Sequence, residues 1–213
     1  MISETVQVME IEAKMSVPDP GVYWTLQTAT SVGEYALETT EVKNSHDIYL
    51  DTRWRRLLAA GYSCRLSESS EGILVTLKTL TTPEGAVHRR GEWEASLSTF
   101  QQPAEWPECD ARKLVLPLVG RDPLTPLFDM QQTRIIRMLS QVDKPVAEIR
   151  LDRVSMISNK REQVYLDLEV ELLPGVPETS LGVVTRLLQE AWNLQPEPLS
   201  KFERGLELLD RVQ

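Results

Sequence analysis

Met9-Glu10-Ile11-Glu12-Ala13-Lys14-Met15 alternates apolar and charged side chains without a break. Side chains along a strand repeat every two residues, so Glu10, Glu12 and Lys14 share one face and Met9, Ile11 and Ala13 the other. Read outward, Met1–Met15 is expected to be a strand. The pattern recurs downstream: Arg90, Glu92 and Glu94 share a face, as do Glu148, Arg150 and Asp152, and Asp167, Glu169 and Glu171. Lys78 follows Thr76, Arg65 sits between Ser63 and Ser67, and Arg134 lies on a strand of Gln, Thr and Ile. On one strand such charges read as a solvated sheet face. Across many strands they fit another arrangement, with apolar faces under covering helices and charged faces inside a barrel lumen. Unpaired interior charges are costly. Clustered carboxylates suit hard cations such as Mg²⁺ or Mn²⁺, and clustered Lys and Arg suit phosphate oxygens. Both together suit a metal–polyphosphate.

The remaining elements support a β-rich α+β chain. Asp19-Pro20 opens a helix running to about Thr28, with Asp as cap and Pro at its first position. Ser45–Asp51 reads as a strand, after which Asp51 or Thr52 caps a helix over Trp54–Ala60, stopped by Gly61. Strands follow at Tyr62–Ser67, Ile73–Leu80 and His88–Leu97, with turns at Glu71-Gly72 and Pro83-Glu84-Gly85. Asp110–Val119 is an amphipathic helix. Three more strands cover Gln131–Leu139, Val146–Ile157 and Gln163–Leu172, and helices end the chain at Leu181–Leu194 and Ser200–Val212. Trp24, Trp54 and Trp192 are expected to pack, as is Trp93. His46 and His88 read as surface or strand-end residues, and Cys64 as buried.

Composition narrows the function. In 213 residues, 32 acidic against 23 basic side chains give a net charge of -9, which argues against a nucleic-acid binder. Hydrophobic residues make up 41%, enough for a core, in one domain over 1–213. No apolar stretch approaches the ~20 residues of a membrane span, and Met1–Lys14 carries no basic or apolar leader signal. Two cysteines without metal-ligand spacing suit a reducing, cytoplasmic setting. Two histidines make a zinc site or a Ser-His-Asp triad a poor fit.

Glu10-Ile11-Glu12-Ala13-Lys14 resembles the E-x-E-x-K signature of CYTH domains, the triphosphate tunnel metalloenzymes. Tyr49-Leu50-Asp51-Thr52, Gly61–Leu66, Thr76-Leu77-Lys78, Arg90-Gly91-Glu92-Trp93-Glu94, Thr133-Arg134, Glu148–Asp152, Glu169-Val170-Glu171 and Ser200-Lys201-Phe202 resemble later family segments, in the family's order. The resemblance spans about residues 7–210. It implies an eight-stranded antiparallel closed β-barrel with helices outside, and metal-dependent hydrolysis or cyclisation of triphosphates. By resemblance, Glu10, Glu12, Glu169 and Glu171 are metal ligands for Mg²⁺ or Mn²⁺, with Glu94 or Asp152 as further candidates. Lys14, Arg65, Lys78, Arg90, Arg134 and Lys201 hold the substrate, and Glu169 or Glu171, with Lys14, serves catalysis. The chain departs from the family where Cys64-Arg65-Leu66-Ser67 replaces L-R-x-R: the second Arg is absent, and Arg150 or Arg137 are the nearby substitutes.

These readings imply attack of water on a terminal phosphorus of inorganic triphosphate or polyphosphate. An organic triphosphate, such as thiamine triphosphate or ATP for cyclisation, is the alternative, as is a non-catalytic polyphosphate-binding module. No organic-group pocket is legible, since Tyr62 has the wrong strand parity for the lumen. The resemblance leaves room for a homodimer through the outer helices, and for a CHAD domain following in a longer chain.

Overall fold

The alternating segments pair into one antiparallel sheet that closes on itself. The computed structural model describes residues 8–70, 72–158 and 161–210. Its elements are β1 (Val8–Ser16), α1 (Pro20–Thr28), β2 (Ser31–Val32), β3 (Tyr35–Asp51), α2 (Arg56–Ala59), β4 (Tyr62–Ser69), β5 (Gly72–Thr79), β6 (Val87–Leu97), α3 (Asp110–Val119), β7 (Thr125–Gln141), β8 (Lys144–Ser158), β9 (Arg161–Leu172), α4 (Thr179–Trp192), β10 (Gln195–Pro196) and α5 (Lys201–Asp210). The order β1-β6-β5-β4-β3-β7-β8-β9 returns to β1 through the β1–β9 pairing, so eight strands form a closed barrel. β2 adds to β3 and β10 to β1. The expected strand residues before Val8, Glu71 of a turn, and Arg211 and Val212 of the last helix lie outside the described residues.

Local chemistry accounts for the helix starts. The Asp19 carboxylate accepts a hydrogen bond from the Val22 amide at 3.0 Å, and Pro20 follows it. Both expected caps serve α2: the buried Asp51 carboxylate accepts from the Leu57 and Leu58 amides at 3.0 Å, and the Thr52 hydroxyl accepts from the Arg56 amide at 3.1 Å. The helix is shorter than expected because Arg55 adopts φ 55°, the left-handed region, and leaves Trp54 outside it.

Two strands are much longer than their sequence suggested. β3 starts at Tyr35 rather than Ser45, and β7 at Thr125 rather than Gln131. Residues 38–41 are polar and exposed, and an irregularity between Thr39 and Glu41 breaks the alternation. Pro126 reads as a breaker, yet it sits beside the second irregularity, between Tyr49 and Leu50, where a missing donor is tolerated.

Apolar faces turn outward to the helices, as the strand parity requires. Ala13, Met15, Ile149, Leu151, Leu168 and Val170 pack under α1 and α4. Cys64, Leu66, Val75, Leu77, Ala95 and Leu97 pack under α3. Burial pushes the Cys64 thiol up to about 12. A third cluster lies on the inward parity: Tyr49, Phe128, Met130, Val154 and Met156 meet Phe202 and Leu208 of α5. Tyr165, on the same strand parity as Asp167 and Glu169, packs against this inner cluster.

The tryptophan expectation needs correction. Trp24 and Trp54 are 66% and 67% exposed, because α1 and the α2 entrance turn those positions away from the barrel. Trp192 and Trp93 are half-buried against the two outer clusters as expected.

Gly205 carries the docking of α5, since a Cβ there would overlap the Phe128 ring. Gly205→Ala is therefore expected to destabilise the protein by roughly 1–3 kcal/mol through overpacking. An unchanged denaturant midpoint for this variant would contradict the docking.

Candidate functional site

The inward strand faces and the start of α5 enclose a cavity of about 420 Å³. Its lining carries the carboxylates Glu10, Glu12, Glu41, Glu92, Glu94, Glu148, Glu169 and Glu171. It also carries the cations Lys14, Lys43, Arg65, Lys78, Arg90, Arg134, Arg150 and Lys201. All the substrate-binding candidates from sequence come together here, and so do all the metal candidates except Asp152, which lies directly behind the lining, bonded to Arg134 and Lys201.

The deepest charges form one network. The Lys14 ammonium lies 2.9 Å from Glu169 and 3.3 Å from Glu12. Lys201, the first residue of α5, lies 2.7 Å from Glu169 and 2.8 Å from Asp152. Arg134 donates to Asp152 at 2.6 and 2.8 Å and to Glu169 at 2.6 Å. Arg90 pairs with Glu12 and, at 3.1 Å, with Glu10. Toward the opening, Lys78 bridges Glu10 at 2.7 Å and Glu92 at 3.2 Å, while Arg150 bridges Glu148 at 3.1 Å and Glu171.

Two electrostatic environments result. Burial alone would raise Glu10, but Lys78 and Arg90 overcome it and hold the carboxyl down to about 2. Burial likewise opposes ionisation of Glu169, yet Lys14, Lys201 and Arg134 hold it well below the usual carboxylate range. Glu171 goes the other way: burial raises it, the carboxylates Glu10, Glu12 and Glu148 raise it further, and Arg150 offsets only part. Glu92 is raised by burial and by Glu10 and Glu94, against Lys78.

The donor set suits a hard cation, since it consists of carboxylate oxygens. Burial first, and neighbouring carboxylates after it, raise Glu92 and Glu171, and a divalent ion beside them would favour their ionised forms. No three acidic, thiol or imidazole groups converge as a ready-made ligand set among the described residues, because the deep carboxylates are already engaged by Lys and Arg.

Sequence reading missed Glu41 and Lys43, although both stand at alternate positions on β3; the strand's unread first half hid them. Arg137 lies outside the lumen, donating to the backbone carbonyls of Leu26, Ala29 and Leu37, whereas Arg150 lines it. Tyr62 packs edge-on against Trp93 at 5.9 Å in an outer cluster.

His88 corrects a second expectation, being 2% exposed rather than superficial. It shares the parity of Arg90, and its Nε2 lies 2.9 Å from the Glu197 carbonyl oxygen. That oxygen only accepts, so Nε2 carries the proton. Burial, then Lys14 and Arg90, push the imidazole down to about 4. A depressed folded-state value means the unfolded chain binds the extra proton first. His88 thus contributes stability that is complete above pH 6.5 and is lost as pH falls toward about 4, amounting to roughly 2–4 kcal/mol. His88→Gln should flatten denaturant-measured stability across that window. A slope equal to that of the parent protein would contradict the assignment.

The CYTH domain family matches residues 9–206. Among solved structures, an adenylyl cyclase candidate from Hippeastrum with a dominant triphosphatase activity superposes with a TM-score of 0.70 at 19% identity, covering 91% of this chain and 93% of that one. An adenylate cyclase candidate from Bacillus halodurans gives 0.63 at 17%, covering 93% and 97%. A protein from Pyrococcus horikoshii gives 0.53 at 16%, covering 95% and 99%. No curated protein sequence matches the chain. No described helix is long and apolar enough to cross a membrane.

Proposed function

The chain belongs to the CYTH domain family, and on that premise we propose that it hydrolyses the phosphoanhydride bond of inorganic triphosphate with the help of Mg²⁺ or Mn²⁺. The single observation that carries this reading is the lumen, where cationic and carboxylate side chains are interleaved around a cavity of about 420 Å³. Its few apolar lining residues are Tyr49, Ile136 and Phe202. Tyr49 and Phe202 belong to the buried inner cluster, so they offer no open shelf for an organic group. The Hippeastrum relative, with its dominant triphosphatase activity, supports hydrolysis over cyclisation.

Lys14, Arg90, Arg134 and Lys201 are the deep cations that receive phosphate oxygens, with Arg65 and Lys78 beside them. Arg150 supplies the lumen charge for which Ser67 has no counterpart. Glu10, Glu12 and Glu171 are the carboxylates that would hold the metal, with Glu94 as a further donor; Glu169 and Asp152 would join only on release from Lys14, Lys201 and Arg134. Such an ion supplies charge neutralisation and polarises phosphate oxygens. The rest of the task is positioning, since phosphoryl transfer depends on in-line alignment and electrostatics. Burial first, then Glu10, Glu12 and Glu148, raise Glu171, whereas Glu169 is held ionised by three cations, so Glu171 is the proton acceptor for the attacking water where it is not engaged with the metal. Lys14 and Lys201, both bonded to Glu169, keep that carboxylate as a fixed anchor.

Phosphate release from tripolyphosphate is expected in Mg²⁺ or Mn²⁺ and is abolished by EDTA, with ATP and thiamine triphosphate turned over more slowly. A preference for either organic substrate would overturn the inorganic reading. Glu10→Gln or Glu12→Gln should lower metal-dependent kcat by about a hundredfold or more with circular dichroism unchanged, and wild-type turnover in either variant would sink the assignment.

A further inference from the structure

We infer that Asp47, a carboxylate that does not reach the cavity, is a positioning residue: it holds the Arg65 guanidinium in place and leaves its N–H donors open to a phosphate chain. This rests on the triphosphate reading above and adds a residue to that site.

Strand geometry puts the two together. Asp47 lies between Lys43 and Tyr49 on the inward face of β3, with no irregularity between Glu41 and Tyr49. Tyr49 pairs with Arg65 of β4 and Asp47 with Ser67, so Asp47 and Arg65 stand one diagonal step apart on the same face. Asp47 Oδ2 lies 3.6 Å from Arg65 Nη1, an ion-pair contact too long for a hydrogen bond. The Asp47 side chain is fully buried behind the lining, whereas that of Arg65 is 24% exposed and lines the cavity. A ligand in the cavity therefore touches Arg65 and not Asp47.

Each member of the pair needs the other. Neither Asp47 oxygen accepts a hydrogen bond, and Ser67, directly opposite, donates none to it. Arg65 is the only ion-pair partner of Asp47 among the described residues, so without it the carboxylate would be a buried, uncompensated charge. Burial opposes the charge on Arg65 in turn, and Asp47 is the first group that favours it, ahead of Tyr49 and Glu92.

Arg65 differs from the other lumen cations in what it has left to give. Each of the others has a carboxylate oxygen within 3.4 Å and must trade it for a phosphate oxygen. Arg65 donates no side-chain hydrogen bond among the described residues. A guanidinium offers several N–H donors in a planar fork that matches phosphate oxygens in pairs. Asp47 stands behind that fork without engaging it, so Arg65 can grip phosphate in front and keep its counter-ion behind. Its orientation is set before the ligand arrives, which lowers the ordering cost of binding.

The test is a double-mutant cycle on binding. Calorimetry with Mg²⁺ and imidotriphosphate, whose P–N–P bridges resist hydrolysis, compares the wild-type protein, Asp47→Asn, Arg65→Gln and the variant carrying both changes. The inference expects all three variants to bind at least about tenfold more weakly than wild type, and alike within about threefold. In turnover of tripolyphosphate, Asp47→Asn should raise KM while kcat stays within about threefold. A packing role would make the double variant weaker than Arg65→Gln; that result, wild-type binding by Asp47→Asn, or a fall in kcat at unchanged KM overturns the inference. Should one single variant not fold, the double variant, which leaves neither charge uncompensated, is compared with the one that does: equal binding supports the inference and weaker binding by the double variant overturns it. Binding without turnover by the wild-type protein removes the hydrolase reading alone, and absence of binding removes both.

Discussion

The structure depends on Glu169 and the three cations that grip it. A carboxylate that is 3% exposed cannot stay ionised unaided, because leaving water costs a buried charge several kcal/mol. Lys14, Arg134 and Lys201, all within 2.9 Å, make ionisation favourable. Each of the three would be equally costly alone. They come from β1, β7 and α5, so this one network draws together the first strand, the middle of the chain and its last helix.

The barrel makes that network possible. A closed antiparallel sheet gives every strand an inward and an outward face. Helices α1, α3 and α4 cover the outward apolar faces, which frees the inward faces from building the core. The lumen turns apolar where α5 supplies Phe202 and Leu208 to the inner cluster. The polar remainder holds its charges as mutual counter-ions. A metal–triphosphate complex brings both signs with it, so it can replace both sets of partners at once. A bare triphosphate would take the cations and strand the carboxylates.

Most of this was legible in the sequence because strand parity is strict. Glu10, Glu12 and Lys14 had to share a face, and the same argument placed Arg90, Glu94, Glu169 and Glu171. Parity also set Tyr62 outside the lumen, as the structure has it, and set Arg137 opposite Arg134, although Arg137 stood beside Arg150 as a candidate substitute until the structure separated them. It failed where the strand itself went unread: the polar stretch before Ser45 concealed Glu41 and Lys43. It could not give depth along the barrel either, so Glu169 and Glu171 looked equivalent although one is gripped by cations and the other crowded by carboxylates. Trp24 and His88 exchanged roles for a related reason. Size and polarity predict burial on average, but Trp24 sits on a helix face turned to solvent, and His88 is buried by the segment around Glu197, which no local pattern announces.

Joint replacement of partners is the central claim, and thermal unfolding tests it most directly. A ligand that binds only the folded state stabilises it in proportion to the logarithm of its occupancy. The protein should be heated with tripolyphosphate alone, with Mg²⁺ alone and with both. The account predicts that both together raise the midpoint well beyond the sum of the separate shifts. A shift from tripolyphosphate alone equal to that of the pair would contradict it.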